Sequence, residues 1–582
     1  MMKNFFFRRL LRYMKGYVRP FVLSLVFSAV FVVASLVLPV LFGKATDVIV
    51  GKDAVDFARL GGLGIAAVLC ALAAGVSQWF TEVLCNRIAN GVTRKVRNDV
   101  FRNLQRLPLK SLDRKRVGDV LGVEIGDADR LSDGLLLGFS RFFTGILTIV
   151  GTLVCMLIIN PVVALVVALI TPLSLFTAKF ITGKTYRFFR KQSETVGRET
   201  AIIEETLGNL PTVKAYGAEK YFNERFVQVN EELRETSFKA VFFSSLTNPT
   251  TRCVNSVVYA CVALTGALLA VSGAGGVFAV TAGTLLSLLS YANRYTKPFN
   301  EISDVLAELA SAKASATRLF DLIDEPCETD ENACLRLPEP PEGRVEIRDV
   351  AFSYVPEKPL ISGFNLTAEE GKKVAIVGPT GCGKTTLINL LMRFYDVNEG
   401  SVSVDGVNVT QVPRADLRRR YGMVLQDTWI RRASVRDNVT IGKKDATDEE
   451  LKEACRLAHC QSFIEKLPEG YDTVIGEESL SQGQKQLLCI ARVMLCLPPM
   501  LILDEATSNI DTRTEVHIQQ AFDRLTRGKT SFVVAHRLST IRGADEILVM
   551  NQGNIVEQGT HEELLAKGGF YAELYNSQFE KE

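Results

Sequence analysis

Charged residues are unevenly distributed along the chain, and its first half contains four long stretches without any. These stretches cover residues 20–43, 60–81, 142–178 and 253–293. The first two are each long enough for one helix to cross a hydrocarbon core of about 30 Å. The last two are much longer than one crossing needs, so each is expected to turn back once. The pattern therefore predicts six transmembrane helices.

Turn signals divide the two longer stretches. Asn160-Pro161 lies in the middle of the third stretch, and the glycine-rich residues 273–276 interrupt the fourth. A buried globular core is the alternative, but it would need uncharged helices of this length six times over. We place the spans at about residues 20–43, 60–81, 138–159, 161–180, 253–272 and 276–296.

Basic residues indicate the orientation of these spans. They cluster before the first span, between the second and third, and between the fourth and fifth, whereas the two turns carry none. Lys and Arg concentrate in cytoplasmic loops. Both termini and the second half of the chain are therefore expected in the cytoplasm.

Several basic residues fall at the predicted cytoplasmic ends of spans. Two explanations remain open: the side chains anchor the helices by reaching water, or they line an inward-facing vestibule that attracts anionic substrates. We predict no carboxylate or lysine at mid-membrane, so nothing indicates the proton or ion relay of a secondary transporter. The residues concerned are Arg141, Lys179, Arg252, Arg294 and Lys297.

The second half of the chain contains the pattern G-x-x-x-x-G-K-[ST], in residues 378–386. Glycines allow backbone N–H groups to point at a phosphate, and a helix that begins after the loop adds its positive end. Lys384 is expected to reach the β- and γ-phosphates of ATP, and the Thr385 hydroxyl to hold Mg²⁺. The predicted phosphate-binding residues are Gly378, Pro379, Thr380, Gly381, Cys382, Gly383, Lys384, Thr385 and Thr386.

The surrounding pattern is that of an α/β domain. Residues 344–354 alternate as an edge strand, an apolar strand precedes the phosphate loop, a helix follows it, and residues 448–496 are expected to be helical. A further strand, 500–504, ends in two acids. Asp504 can hold Mg²⁺ through water, while Glu505 can orient and deprotonate the attacking water.

Composition narrows the range of partners and cofactors. The chain has 582 residues and a net charge of +2, so no strongly basic domain emerges and nucleic acid is not an expected partner. The twelve cysteines show no metal-ligand spacing and are expected to be reduced thiols. Cys382 has two alternatives: a helix N-terminus and Lys384 make its thiol reactive, or it points into the core.

In this order the motifs resemble the nucleotide-binding domain of an ATP-binding cassette (ABC) transporter. The six preceding spans resemble the exporter type of half-transporter, and the likeness covers nearly the whole chain. The chain resembles one subunit of bacterial multidrug-type exporters, which implies that its spans lie in the plasma membrane of a bacterial cell. The resemblance implies that Tyr354 stacks on adenine, that Gln426 senses Mg²⁺ and the attacking water, and that His536 contacts the γ-phosphate. An ordinary strand aromatic and a core histidine are the alternatives for Tyr354 and His536.

Three further segments match parts of the family pattern. Residues 480–484, Leu-Ser-Gln-Gly-Gln, resemble the signature segment that meets the γ-phosphate on the opposite subunit; Ser481, Gly483 and Gln484 are kept, but Gln482 replaces a glycine. Asp511 ends a loop, 508–511, that resembles the one crossing to the other protomer. Residues 107–114 and 206–216 resemble cytoplasmic coupling segments.

We therefore predict an all-α transmembrane domain of six helices (1–324), a Pro- and Glu-rich linker (325–342) and an α/β ATPase domain with a helical subdomain (343–582). The predicted function is ATP-driven export of a small lipophilic or amphipathic compound by alternating access, with ATP and Mg²⁺ bound at a dimer interface. The partner is a second half-transporter, a different chain being slightly favoured over a second copy. A gated or regulatory membrane protein of the same architecture and an importer on the exporter fold remain alternatives.

Overall fold

The computed structural model describes residues 2–50, 55–115, 117–272, 279–328, 335–426, 428–504, 510–535 and 541–579. The chain divides into two compact units. The first comprises Met1–Gln105 and Val117–Glu325, and the second comprises Arg106–Arg116 and Pro326–Glu582. Residues 106–116, which precede the third predicted span in sequence, therefore belong with the ATPase half of the chain.

The described part of the first unit is helical. Four of its helical stretches are long and apolar enough to cross a membrane, and the apolar stretch Pro161–Thr171, at the beginning of a longer helix, is shorter. The four are Arg8–Val50, Phe57–Leu104, Val117–Ile159 and Glu219–Val271. The count of six spans stays a prediction, and residues 273–276 lie outside the described residues.

The helices of the first unit are numbered along the chain, and α4 is kept for the short helix Leu109–Asp113 of the second unit. They are α1 (Met2–Met14), α2 (Val18–Val50), α3 (Phe57–Leu104), α5 (Val117–Leu121), α6 (Ala128–Leu137), α7 (Phe143–Ile159), α8 (Pro161–Gly208), α9 (Leu210–Ala215), α10 (Glu219–Ser245), α11 (Thr247–Val271) and α12 (Ala282–Asp324). Turns of π-helix at Gly122–Asp127 and Gly138–Phe142 join α5, α6 and α7.

The turn predicted at Asn160-Pro161 is confirmed. Helix α7 ends at Ile159, and the Asn160 side chain accepts hydrogen bonds from the N–H groups of Val162 and Val163 at 3.1 and 3.2 Å. Proline is well suited to the first position of a helix because it has no N–H to satisfy there. Asn160 and Pro161 thus end one helix and begin the next.

Two sheets form the centre of the second unit. The larger has the order β12-β11-β3-β10-β9-β6, and the smaller, antiparallel sheet has the order β2-β1-β4-β5. The strands are β1 (Val345–Phe352), β2 (Ile361–Ala368), β3 (Lys373–Val377), β4 (Glu399–Val404), β5 (Val407–Asn408), β6 (Tyr421–Val424), β7 (Ala433–Ser434), β8 (Val474–Ile475), β9 (Met500–Asp504), β10 (Thr530–Val534), β11 (Glu546–Asn551) and β12 (Asn554–Gly559).

Helices flank these sheets. They are α13 (Lys384–Leu391), α14 (Arg414–Arg419), α15 (Val435–Val439), α16 (Asp448–Leu457), α17 (Gln461–Ile464), α18 (Gln482–Cys496), α19 (Thr512–Thr526), α20 (His561–Lys567) and α21 (Phe570–Phe579). The predicted fold class, a helical transmembrane domain followed by an α/β nucleotide-binding domain, is confirmed.

Two details of the sequence prediction are wrong. Strand β1 is not at an edge, because it pairs with β2 on one side and β4 on the other. Alternation of polar and apolar residues indicates that one face of a strand is buried, but it does not indicate that one edge is unpaired. The predicted helical stretch 448–496 is interrupted by strand β8, which pairs with β7. Polar turn residues around Gly470 and Gly476 separate its helices.

Candidate functional site

The phosphate loop connects strand β3 to helix α13 and has a backbone that favours glycine. Gly378, Gly381 and Gly383 have φ angles of +157°, +83° and +106°. A Cβ atom on Gly378 would lie 2.2 Å from the carbonyl oxygen of Met550, which belongs to strand β11. A side chain at Gly378 would therefore displace the loop from the sheet.

The turn between β11 and β12 supports the loop from behind. The Gly553 N–H donates to the Cys382 carbonyl at 2.9 Å. A Cβ atom on Gly553 would lie 1.4 Å from the Leu360 carbonyl oxygen, so this turn is itself closely packed. Sequence analysis missed the contribution of Met550 and Gly553 to the phosphate loop. The sequence feature that could have indicated this turn is a glycine between two strand-like segments, which is typical of a short β-hairpin.

The side chain of Lys384 lies along the same loop. Its Nζ donates to the carbonyl oxygens of Gly378 at 2.7 Å and Pro379 at 3.1 Å. Behind it, the Tyr354 hydroxyl lies 3.2 Å from the Thr386 Oγ1, and Asn389 donates to the same hydroxyl at 3.2 Å. Tyr354 is therefore held beside helix α13, and its contact with adenine stays a prediction.

Other predicted residues reach the same edge of the larger sheet. Strands β11, β3, β10, β9 and β6 run parallel, so their carboxyl ends lie together. Asp504 is the last residue of β9, and the exposed Gln426 follows β6 by two residues. These ends and the phosphate loop form the place where an α/β fold binds its ligand. Glu505 and His536, expected at the ends of β9 and β10, lie outside the described residues.

The signature segment begins helix α18 with a capping box. The Ser481 hydroxyl accepts from the Gln484 N–H at 3.3 Å, and the Gln484 side chain accepts from the Ser481 N–H at 3.0 Å. Gln482, the departure from the family pattern, donates to the Thr428 hydroxyl at 3.3 Å. The replacement thus contacts the segment after Gln426 within the same chain.

Gly483 and Asp511 have structural roles beside their predicted ones. A Cβ atom on Gly483 would lie 2.4 Å from a methyl group of Thr514, so glycine lets α18 approach α19 closely. The Asp511 carboxylate caps α19 by accepting from the Thr514 N–H at 2.9 Å, and this hydrogen bond holds the pKa of Asp511 below its usual value. Contacts of both residues with a second protomer stay predictions.

Tyr395 is a residue that sequence analysis missed. Its ring packs edge-on against Tyr354, with 5.0 Å between the centroids, and its hydroxyl donates to the carboxylate of Asp113 on α4. Burial, followed by the hydrogen bond to Asp113, raises the pKa of Tyr395. Tyr354 is thereby connected to the predicted coupling segment 107–114 through one side chain.

Cys382 lies on the core side of the loop. Its side chain is 2% exposed, which favours the buried alternative over a reactive thiol. We expect a maleimide to modify the exposed Cys496 well before Cys382 in the folded protein, because buried thiols are inert. Mass spectrometry of the peptides after timed labelling measures both rates, with Cys496→Ser as control. Faster labelling of Cys382, blocked by ATP, would contradict the buried position.

Two family models match the chain. One, described as the ABC transporter transmembrane region, matches residues 21–299, and the other, described as ABC transporter, matches residues 361–508. The order of the two matches is that of the two units described above. Within the second match lie the phosphate loop, Gln426, the signature segment and Asp504.

Relatives with this arrangement include a fatty acid ABC transporter ATP-binding/permease protein of Mycobacterium bovis. It is 41% identical over 90% of this chain and 83% of its own length. An ATP-dependent lipid A-core flippase of Syntrophus aciditrophicus is 33% identical over 89% of this chain and 86% of its own. A solved structure of a bacterial Atm1-family ABC exporter with ATP bound superposes with a TM-score of 0.78, at 27% identity over 97% of this chain and 98% of that one.

Proposed function

Because this chain belongs to the ABC transporter family, with the transmembrane region and the ATPase domain fused in one polypeptide, we propose that it exports a lipid-like amphipathic compound by alternating access. It is an integral membrane protein and an ATP-hydrolysing exporter. The observation that supports the proposal most is the phosphate loop at the carboxyl edge of the parallel sheet, beside Asp504 and Gln426.

The residues present fit ATP and Mg²⁺. The loop has glycines with positive φ angles at Gly381 and Gly383, which suit a turn that directs backbone N–H groups at a phosphate, and we assign Lys384, whose side chain lies along the loop, to the β- and γ-phosphates. We assign adenine stacking to Tyr354 and the Mg²⁺ ligands to Thr385, Gln426 and Asp504. Bound Mg²⁺ would neutralise charge on the β- and γ-phosphates.

Hydrolysis then requires a base and a group that stabilises the transferred phosphoryl group. We assign the base to Glu505, which takes a proton from water as the water oxygen bonds to the γ-phosphorus and the bond to the β-phosphate oxygen breaks. His536 contacts the γ-phosphate, and Lys384 balances its negative charge. Gln426 positions the attacking water and transmits the state of the ATP site to the coupling segments.

ABC half-transporters function as dimers, and one chain supplies one phosphate loop and one signature segment. In the proposed closed dimer, Ser481, Gly483 and Gln484 of each chain meet the ATP held by the phosphate loop of the other, and the loop ending at Asp511 crosses between them. The N-terminus of α18 directs its positive end at the γ-phosphate. We favour a different half-transporter as the partner, because the Leu-Ser-Gln-Gly-Gln form of the signature resembles one subunit of heterodimeric exporters.

The substrate class follows from the spans and the relatives. Uncharged spans suit a compound that is itself largely apolar, and the two relatives named above carry fatty acid and lipid A in their names. A channel gated by ATP would need only to bind ATP and not to hydrolyse it. The predicted hydrolytic residues Lys384, Asp504, Glu505 and His536 are all present in the sequence and favour turnover.

The test is to purify the chain expressed alone and, separately, the complex it forms in its own cells, both in lipid nanodiscs. We expect the complex to contain a second half-transporter and to hydrolyse ATP, and the lone chain to be monomeric and nearly inactive. Mass photometry measures the number of chains in each complex, and phosphate release measures the rate of ATP hydrolysis. Robust hydrolysis by a dimer of identical chains would overturn the heterodimer, and no hydrolysis in either sample would overturn the ATPase assignment.

A further inference from the structure

A side-chain hydrogen bond joins the signature segment to the segment that follows Gln426. Gln482 is the first residue of helix α18, and its Nε2 donates to the Thr428 hydroxyl at 3.3 Å. Thr428 follows Gln426 by two positions in the chain. The family pattern has a glycine at position 482, and a glycine has no side chain that could make this contact. The connection therefore comes from the residue by which this sequence departs from the family pattern.

Helix α18 also holds the residue that comes next. The Arg492 guanidinium donates to the Trp429 carbonyl oxygen at 3.4 Å, and its central carbon lies 6.0 Å from the centroid of the Trp429 ring. A helix with 3.6 residues per turn places positions 482 and 492 about 80° apart around its axis. One side of α18 therefore contacts residues 428 and 429 in succession.

Asn438, on helix α15, fixes the same segment from another direction. It is 1% exposed, and its side chain accepts from the Arg431 N–H at 2.9 Å and donates to the Arg431 carbonyl oxygen at 2.8 Å. Arg492 also donates to the Asn438 carbonyl oxygen at 2.9 Å. Residues 429–431 are thus held against α15 and α18, and Thr428 is the position at which this hold extends toward Gln426.

These contacts connect residues that are assigned above to two different ATP sites. In the proposed closed dimer, the signature segment meets the ATP held by the other chain, whereas Gln426 serves the ATP held by its own chain. The hydrogen bond from Gln482 to Thr428 lies between the two, and both of its side chains belong to one chain. A movement of the signature segment onto one ATP would therefore act on the segment that carries Gln426.

We propose that Gln482 is a positioning residue that couples the two ATP sites. When the signature segment meets one ATP, the bond to Thr428 holds Gln426 where it positions the attacking water at the other ATP. Coupling between binding sites is reciprocal, so ATP at the site of Gln426 also favours engagement of the signature segment. The inference rests on the proposed function, since it needs a closed dimer that hydrolyses ATP.

The alternative is a hydrogen bond that only adds to the stability of the fold. Gln482 is exposed and Thr428 is half-buried, and a neutral hydrogen bond contributes modestly to the free energy of unfolding. Loss of a purely structural bond would lower the unfolding temperature slightly and leave the turnover of the folded complex unchanged. Coupling predicts slower turnover by a folded complex that still binds ATP, which separates the two explanations.

The test is a double-mutant cycle in the purified complex of this chain with its partner, in lipid nanodiscs. Gln482→Ala removes the amide, and Thr428→Val removes the hydroxyl while it keeps the shape of the side chain. We expect each change to lower kcat for ATP hydrolysis about threefold to tenfold, as one neutral hydrogen bond allows, and to change the Kd for ATP less than about twofold. The double variant should be no slower than the slower single variant, because both changes remove the same bond.

Thr428→Ser is the matched control. Serine keeps the hydroxyl that accepts from Gln482, so this variant should hydrolyse ATP at nearly the wild-type rate. Hydrogen–deuterium exchange of the peptide that contains Thr428 gives a readout that does not depend on turnover. With Mg²⁺ and a non-hydrolysable ATP analogue, we expect this peptide to exchange at least about threefold faster in Gln482→Ala than in the wild type.

Wild-type turnover in both single variants, or rate losses that multiply in the double variant, would overturn the proposal. Equal exchange of the Thr428 peptide in the Gln482→Ala and wild-type complexes would also overturn it. A wild-type complex that does not hydrolyse ATP would instead overturn the ATPase assignment, so the two failures are distinguishable. If Gln482→Ala does not fold, Thr428→Val and Thr428→Ser still decide the matter, because equal turnover by these two variants would contradict the proposal.

Discussion

Replacing Glu505 with Gln is expected to lower ATP hydrolysis on the order of 10²-fold or more and to leave ATP binding nearly unchanged. The amide keeps the shape and much of the polarity of the carboxylate, but it cannot take a proton from water. Lys384 and the glycine-rich loop, which bind the phosphates in the proposed site, are untouched. Phosphate release by the purified complex measures the first effect, and equilibrium binding of a fluorescent ATP analogue measures the second.

Glu370→Gln is a suitable control, since Glu370 is an exposed carboxylate in the turn before strand β3, at the opposite end of that strand from the phosphate loop. It should hydrolyse ATP at the wild-type rate. Near-normal turnover in the Glu505→Gln protein would remove Glu505 from the role of base. Equal loss of binding and hydrolysis would instead assign it a structural role.

Replacing Gly378 with Ala should weaken ATP binding at least tenfold and lower hydrolysis in proportion. The added Cβ would lie 2.2 Å from the Met550 carbonyl oxygen and 2.7 Å from the Cys382 Sγ. Met550 belongs to β11, which pairs with β3 on one side and β12 on the other, so its backbone cannot withdraw easily. The loop must move instead, and its N–H groups then no longer converge on one phosphate.

Gly476→Ala provides the matched comparison. Its added Cβ would meet only the Ser479 Oγ, at 3.8 Å, so that variant should bind ATP as the wild type does. Binding by equilibrium titration and folding by circular dichroism are measured on both proteins. A folded Gly378→Ala protein with wild-type affinity would show that the close approach to Met550 is not what holds the loop.

The parts of the site that sequence reasoning placed well are those encoded locally. The phosphate loop, Asp504 and the signature segment each follow or begin an element whose type is set by its own apolar pattern. Parallel pairing in the order β3, β10, β9, β6 then brings the ends of these strands to one edge. This geometry follows from the topology of the sheet and needs no knowledge of individual contacts.

The parts that could not be predicted depend on residues distant in sequence. Tyr395 and Asp113 are separated by 282 positions, and although Asp113 lies in the predicted coupling segment, nothing in the sequence pairs it with Tyr395. Met550 and Gly553 support the phosphate loop from a hairpin much later in the chain. Polar and apolar residues alternate along β1 as they would in an edge strand, yet β1 pairs on both sides. Its second partner, β4, follows the phosphate loop in the chain, so the sequence around β1 does not indicate this pairing.

A cavity of about 650 Å³ in the first unit, lined by residues of α2, α3, α7 and α12, illustrates the same limit. Sequence alone placed Arg141, Arg294 and Lys297, which line it, at the ends of predicted spans, where anchoring and a vestibule both remained open. Their convergence on one volume depends on how α2, α3, α7 and α12 pack against one another, and small residues permit that packing. Gly43, for example, lies so close to α12 that an added Cβ would be 2.4 Å from the Gly283 carbonyl oxygen.

The central claim is that ATP hydrolysis by this chain and its partner moves an amphipathic compound out of the cytoplasm. Flux in inside-out membrane vesicles from cells that make the native complex tests it most directly. With labelled dodecanoate outside, we expect ATP-dependent accumulation in the vesicle lumen that disappears when the Glu505→Gln protein replaces the wild type. Accumulation that needs no ATP, or that persists undiminished in the Glu505→Gln vesicles, would contradict it.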